Sequence, residues 1–320
     1  MENFVFSINA TLPVFILMLL GLFLKKINLI DDKFTSSLNK FVFKVALPVL
    51  VFEDLAEQDF AAAWDGKFVG YCFIVTLICI IAVAFISGFF IHNKSLRGEF
   101  IQVSFRSSAA ILGLAFIHNI YGDGNTQMAP LMILGSVPLY NIFSVIILTV
   151  TSEDEDNNKV SIKDLIIKSL KGIVTNPILI GIFIGLVFSL LKIPRGDIFN
   201  TVVENIARLA TPLGLIAMGA AFNIQSSKKV LLPSAVASII KLFVLVGIFI
   251  PIAIAIGFRD QQIVALLVML GSASTVSCYI MARNMGHEGS LTATTVMITT
   301  FGCAFSLTFW LYLFKSLGYI

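Results

Sequence analysis

Charge is scarce in this chain. Lys, Arg, Asp and Glu make up 13% of its 320 residues, about half the share carried by a soluble domain. That shortage excludes an ordinary water-soluble globule. Cysteine is limited to Cys72, Cys79, Cys278 and Cys303, each inside an apolar segment. They have neither metal-ligand spacing nor a disulfide pattern, and they read as small buried apolar residues. The three histidines, His92, His118 and His287, fall near the ends of apolar segments or in loops and read as interfacial. Acidic residues are missing from the middle of every long apolar segment. There is no catalytic triad, phosphate loop or metal cluster. The chain therefore reads as neither an enzyme nor the holder of a cofactor. Its net charge of +3 points to membrane topology rather than to a nucleic-acid partner.

Long apolar runs are abundant. Hydrophobic residues make up 58% of the chain and the mean hydropathy is +0.95. Phe68 to Phe90 has no charged residue, and neither has Gln127 to Thr151. A helix needs about 20 apolar residues to cross the hydrocarbon layer. The strands of a membrane barrel would instead show short alternating segments. The first apolar stretch, Phe4 to Leu24, follows the acidic Glu2 and reads as a true span rather than a cleaved signal. Ten spans are predicted, at 5–24, 34–53, 67–91, 100–120, 127–150, 172–191, 201–222, 230–256, 262–282 and 290–314. The acidic run Glu153 to Asn158 falls in a hydrophilic linker, 151–171.

That linker separates two halves, 1–150 and 172–320, which share a register. An offset of 164 residues pairs Pro13 with Pro177, Gly21 with Gly185, Ala46 with Ala210 and Pro48 with Pro212. It also pairs Ser108 with Ser272, Ala109 with Ala273 and Gly122 with Gly286. Internal repeats in a membrane chain point to a transporter. Alternate loops hold 12 basic residues against 5 in the other set. The basic set should be cytoplasmic, which puts both termini outside. With five spans per half, the second half must enter from the opposite side, so the duplication is inverted. Such repeats commonly place a substrate site at the midplane, between discontinuous helices.

The fourth and ninth spans are the candidates for that site. The fourth carries Arg106, Ser107 and Ser108, and the ninth carries Ser272, Ser274, Thr275 and Ser277. Unwinding there would free amides able to hold an anion, and the hydroxyls would add donors. The same small residues would also suit close helix packing. Arg106 lies about six residues into its span, where it could clamp a carboxylate or snorkel to the surface. Lys241, deeper in the eighth span, carries a second electrostatic candidate. Asn141 could orient substrate or brace the crossover. Pro48 and Pro212 read as kinks, with a hinge role open to them.

Several short motifs resemble the auxin efflux carrier family, which includes plant auxin carriers and bacterial malate and malonate permeases. Thr175-Asn176-Pro177 followed by Ile184-Gly185-Leu186 is similar to the start of its sixth span. Ala46-Leu47-Pro48 followed by Leu50-Val51-Phe52 resembles its second, and Gly113 with Tyr121-Gly122 the end of its fourth. The resemblance implies an all-helical fold of ten transmembrane helices in two inverted five-helix repeats, similar to bile-acid sodium symporters and sodium/proton antiporters. It also implies that helices 4 and 9 unwind and cross at the substrate site. In plant carriers the crossovers carry prolines and an Asn. Here those positions hold Ser108, Ala115, Ala273 and Cys278.

The expected activity is secondary transport of a small organic anion, a di- or monocarboxylate, across the plasma (inner) membrane by alternating access. A homodimer in the lipid bilayer fits that reading. The alternatives are a sodium- or proton-coupled symporter of bile-acid type and a non-transporting membrane sensor.

Overall fold

A computed structural model describes residues 2–58, 60, 64–109, 117, 120, 121, 128–152 and 162–320. The acidic run at 153–158, His118, Gly113, Ala115 and Gly122 lie outside the described residues, as does most of the fourth span beyond Ala109. Among the described residues the chain is all helical, without a strand. In chain order the helices are α1 (Glu2–Lys26), α2 (Asp32–Ala56), α3 (Gly66–Phe90), α4 (Lys94–Phe105), α5 (Met128–Thr151) and α6 (Ile162–Thr175). They continue with α7 (Pro177–Leu190), α8 (Asp197–Ala221), α9 (Ile224–Lys229), α10 (Leu231–Ile256), α11 (Asp260–Gly271), α12 (Val276–Asn284) and α13 (Ser290–Ser316). Six helical segments are long and apolar enough to cross a membrane: α2, α3, α5, α10, α13, and α11 with α12 taken together.

Short polar side chains begin these helices where the apolar runs start. Asp31, Asp65, Asn93 and Asn176 each accept a backbone N–H at 2.7–3.0 Å. Each removes one of the amide donors that a helix start leaves open. Pro177 then takes the first helical position, where no N–H is needed. Helix α6 starts at Ile162, inside the predicted hydrophilic linker.

Two helices contain a π-helical turn, Val42–Ala46 in α2 and Ile240–Val244 in α10. The first immediately precedes Pro48, and Leu47 N–H bonds back to Val42 O. The wider turn absorbs the donor that Pro48 lacks, so α2 continues through it. Pro212 lies inside the unbroken α8. The helix α2 also runs past its apolar stretch, so Glu53 and Asp54 are helical rather than part of the following loop.

The interrupted pair α11 and α12 forms the centre: 89% of its most apolar stretch is buried, against 39% for α3 and α10. Around it, α1 packs on α8 and α2 on α7. Glycines let those backbones meet. A side chain at Gly21 would run into Ile216 O, and one at Gly185 would lie 2.8 Å from Phe52 O. Gly219 abuts the Met18 backbone and Gly181 the Pro48 backbone. The offset of 164 carries Gly21 to Gly185 and Phe52 to Ile216. The first helix of each half therefore meets the second helix of the other.

Two polar groups brace the centre from a distance. Glu99, fully buried, accepts Gly289 N–H at 2.7 Å and both the N–H and hydroxyl of Thr292 at 2.9 Å. It closes the first turn of α13, where an anion suits the helix dipole. His287, expected at an interface, is instead buried, with Nε2 at 2.9 Å from Leu148 O and Nδ1 at 3.1 Å from Ser95 Oγ. Its neighbours come from helices far away in sequence, which no local pattern signals.

Gly181→Val and Gly219→Val should each cost about 1–3 kcal/mol through overpacking, read as a lower thermal midpoint in detergent. Gly70→Ala, with nothing within 4 Å of the added carbon, should hold or raise that midpoint.

Candidate functional site

Helix α4 stops at Phe105, and Arg106 turns extended with ψ of 124°. Helix α11 stops at Gly271; Ser272 and Thr275 are extended, and α12 starts at Val276. Both breaks leave carbonyls and amides without helical partners, and in an apolar surrounding those groups must be satisfied by protein.

The two segments satisfy each other. Ser108 N–H donates to Ala273 O at 2.9 Å, joining the breaks backbone to backbone. The Ser107 hydroxyl donates to Met269 O in the last turn of α11. The Ser274 hydroxyl donates to Val103 O, 2.7 Å away in the last turn of α4. Each break thus lends a hydroxyl to the helix end of the other. Tyr140 OH adds a bond to Met269 O at 3.1 Å, Gln102 Nε2 one to Cys278 O at 2.9 Å, and Ser274 N–H one to Thr299 Oγ1 at 3.1 Å. The breaks need no proline, because hydroxyls and an amide stabilise them.

A cavity of about 150 Å³ opens beside the breaks. Its wall includes Arg106, Ser107, Ser108, Asn141, Ser274, Thr275 and Ser277, with Tyr140, Asp54 and Thr300. Ser272 and Lys241 are absent from that wall. Ser272 is buried, and its hydroxyl has no partner among the described residues. Lys241 lies behind the breaks, fully buried, and donates to the Ser107 hydroxyl and to carbonyls of α4 and α11. Pro48 and Pro212 stay outside the wall, one turn or less from its members Leu47 and Thr211.

Arg106 is 4% exposed, so it does not snorkel. Its Nη2 donates to Asn141 Oδ1 at 2.7 Å; its Nη1 lies 2.7 Å from Met281 Sδ and 3.5 Å from Ser144 Oγ. Asn141 in turn donates to Val137 O at 2.9 Å, so it holds the guanidinium in place. All these partners are neutral. Among the described residues, no ion pair joins Arg106 to a carboxylate. Across the cavity wall, Thr275 caps α12 through Ser277 N–H at 3.4 Å, and the first turn of α12 faces the same space.

The second span was predicted to end at residue 53, which left Asp54 outside it. The structure puts it in the last turn of α2, in the cavity wall. Tyr140, Gln102 and Thr299 also escaped the sequence reading. A polar residue inside an apolar run was the available signal, shared by Tyr140, Gln102 and Thr299.

Thr299→Val leaves the Ser274 amide buried without an acceptor and should cost about 1–3 kcal/mol. Thr299→Ser keeps the oxygen and should leave the thermal midpoint close to wild type.

An uncharacterized transporter of Methanothermobacter thermautotrophicus is 21% identical over 316 residues, covering 96% of this chain and 98% of the archaeal one. The family model described as membrane transport protein matches residues 6–311. The chain therefore belongs to this membrane transport protein family, the auxin efflux carrier-like family.

Proposed function

We propose that the chain is a secondary transporter that moves a small organic anion, a mono- or dicarboxylate, across the plasma (inner) membrane by alternating access. The observation that carries this reading is the state of Arg106. It is a buried guanidinium in a cavity wall, held by neutral acceptors and paired with no carboxylate among the described residues. A charge in that state is costly until an anion joins it. Ser107, Ser108, Ser274, Thr275 and Ser277 supply hydroxyls to the same space. The first-turn amides of α12 add partial positive charge. A cavity of about 150 Å³ is large enough for a small organic molecule.

In this reading ten helices form two inverted five-helix repeats, with both termini extracytoplasmic. One pair of crosswise glycine contacts supports it, since the offset of 164 maps Gly21 on Ile216 O to Gly185 on Phe52 O. The tightly packed pairs α1–α8 and α2–α7 then act as scaffold, able to dimerise. The elements around the breaks move against it, with Pro48 and Pro212 as paired hinge positions.

A panel of mono- and dicarboxylates in a thermal-shift assay identifies the ligand, because a bound ligand raises stability with its excess. Arg106→Ala should then weaken carboxylate binding by roughly 10²-fold, as expected for a charge pair lost from a buried site. Its own thermal midpoint should hold or rise, since an uncompensated buried charge has gone. Wild-type affinity and uptake in Arg106→Ala would remove the residue from the site.

A further inference from the structure

A second buried cation lies on the other side of the helix breaks. Lys241 is the only charged residue in α10 and is fully buried. The π-helical turn Ile240–Val244 shifts it inward, while its neighbours Ile239, Phe243 and Val244 remain on the exposed face. Its Nζ donates to Leu270 O at 2.9 Å, Phe105 O at 3.2 Å, Met269 O at 3.4 Å and the Ser107 hydroxyl oxygen. The Ser107 proton is directed to Met269 O, so all four neighbours present lone pairs to the ammonium.

Three of these oxygens belong to the last turns of α4 and α11. Helix C-termini carry unbonded carbonyls and partial negative charge. Here two of them converge on one point, closed by a hydroxyl. A ring of neutral oxygens at converging helix ends is suited to a bare monovalent cation. An ammonium matches it in charge and donates along the directions in which an ion would be coordinated.

We propose that Lys241 is a tethered replacement for a coupling cation. Its ammonium fills the oxygen cage between the C-termini of α4 and α11, so the carrier works without binding sodium or another alkali ion. The consequence for coupling rests on the carrier reading above. The cage itself rests only on the geometry.

The test compares the whole protein with Lys241→Ala and Lys241→Met at constant ionic strength, in choline, sodium, lithium or ammonium chloride. Wild-type thermal midpoint and proteoliposome uptake should be the same in sodium and choline. Lys241→Ala empties the cage, so sodium, lithium or ammonium should raise its midpoint saturably, on the order of 5 °C above choline. Lys241→Met refills the space with apolar atoms and should show no such rise. Wild-type uptake that requires sodium overturns the proposal. So does a Lys241→Ala protein that responds to cations no more than Lys241→Met. If Lys241→Ala cannot be isolated folded in choline, recovery in ammonium or lithium supports the cage and failure in every cation counts against it. The cation shift needs no substrate. A cage that responds in a protein that moves no carboxylate would remove only the carrier reading. Sodium-independent carboxylate uptake with no cage response would remove only the proposal.

Discussion

The centre of this protein depends on one constraint. A helix that stops inside an apolar layer must hand its last carbonyls and first amides to other protein groups, because no water is available to take them. Helices α4 and α11 both stop there. Their ends are satisfied by each other: Ser107 on Met269 O, Ser274 on Val103 O, Ser108 N–H on Ala273 O. Neither break is stable without the other, so the position of the cavity is set by mutual need rather than by either segment alone. The braces further out serve the same end. Thr299 accepts the Ser274 amide and Glu99 closes the start of α13, which carries Thr299.

The electrostatics of the cavity follow from how those ends are used. The negative poles of α4 and α11 face Lys241, whose ammonium neutralises them on the side away from the cavity. What remains toward the cavity is the positive first turn of α12 and the guanidinium of Arg106. Without a cation at Lys241 the carbonyls of Phe105 and Leu270 would bias the same region toward cation binding. In the proposed arrangement one buried lysine separates two sites that would otherwise compete, and it leaves the cavity with a surplus of positive charge. Asp54 also lies in the wall. The proposed selectivity for anions then comes from the balance of four poles, not from Arg106 alone.

The helices were legible because hydropathy and length decide them, and the capping residues Asp31, Asp65, Asn93 and Asn176 mark their starts. The breaks were legible as to region: small, hydroxyl-rich segments in the fourth and ninth spans lie where α4 and α11 end. The partners of each polar group were not. Glu99 meets residues about 190 positions away, and Lys241 gathers oxygens from both halves of the chain. Helical periodicity reports a residue's neighbours on its own helix and says nothing of such contacts. His287 was misplaced for that reason. A charged residue near the end of an apolar run reads as solvent-facing until a distant helix is known to cover it.

The offset of 164 residues describes the frame, and at the breaks it pairs small residues, Ser108 with Ser272 and Ala109 with Ala273. It matches the contact of Gly21 with Ile216 O to that of Gly185 with Phe52 O, one in each of the pairs α1–α8 and α2–α7. It does not match the charged side chains and their larger polar neighbours. Arg106 corresponds to Leu270, Lys241 to Leu77, Asp54 to Met218, Asn141 to Phe305 and Tyr140 to Ala304. Close backbone packing must be kept in both halves, since each glycine interface holds the other half in place. A single cavity lined by both halves, as proposed for the site, has no such requirement. A charge supplied by one half already fills the shared space, and its duplicate would face it as a like charge at short range, which is unfavourable in a low dielectric. One-sided polar substitution on a two-sided frame is therefore the expected outcome when both repeats enclose one site. It explains why Arg106, the charge proposed to bind substrate, is a residue the repeat fails to pair.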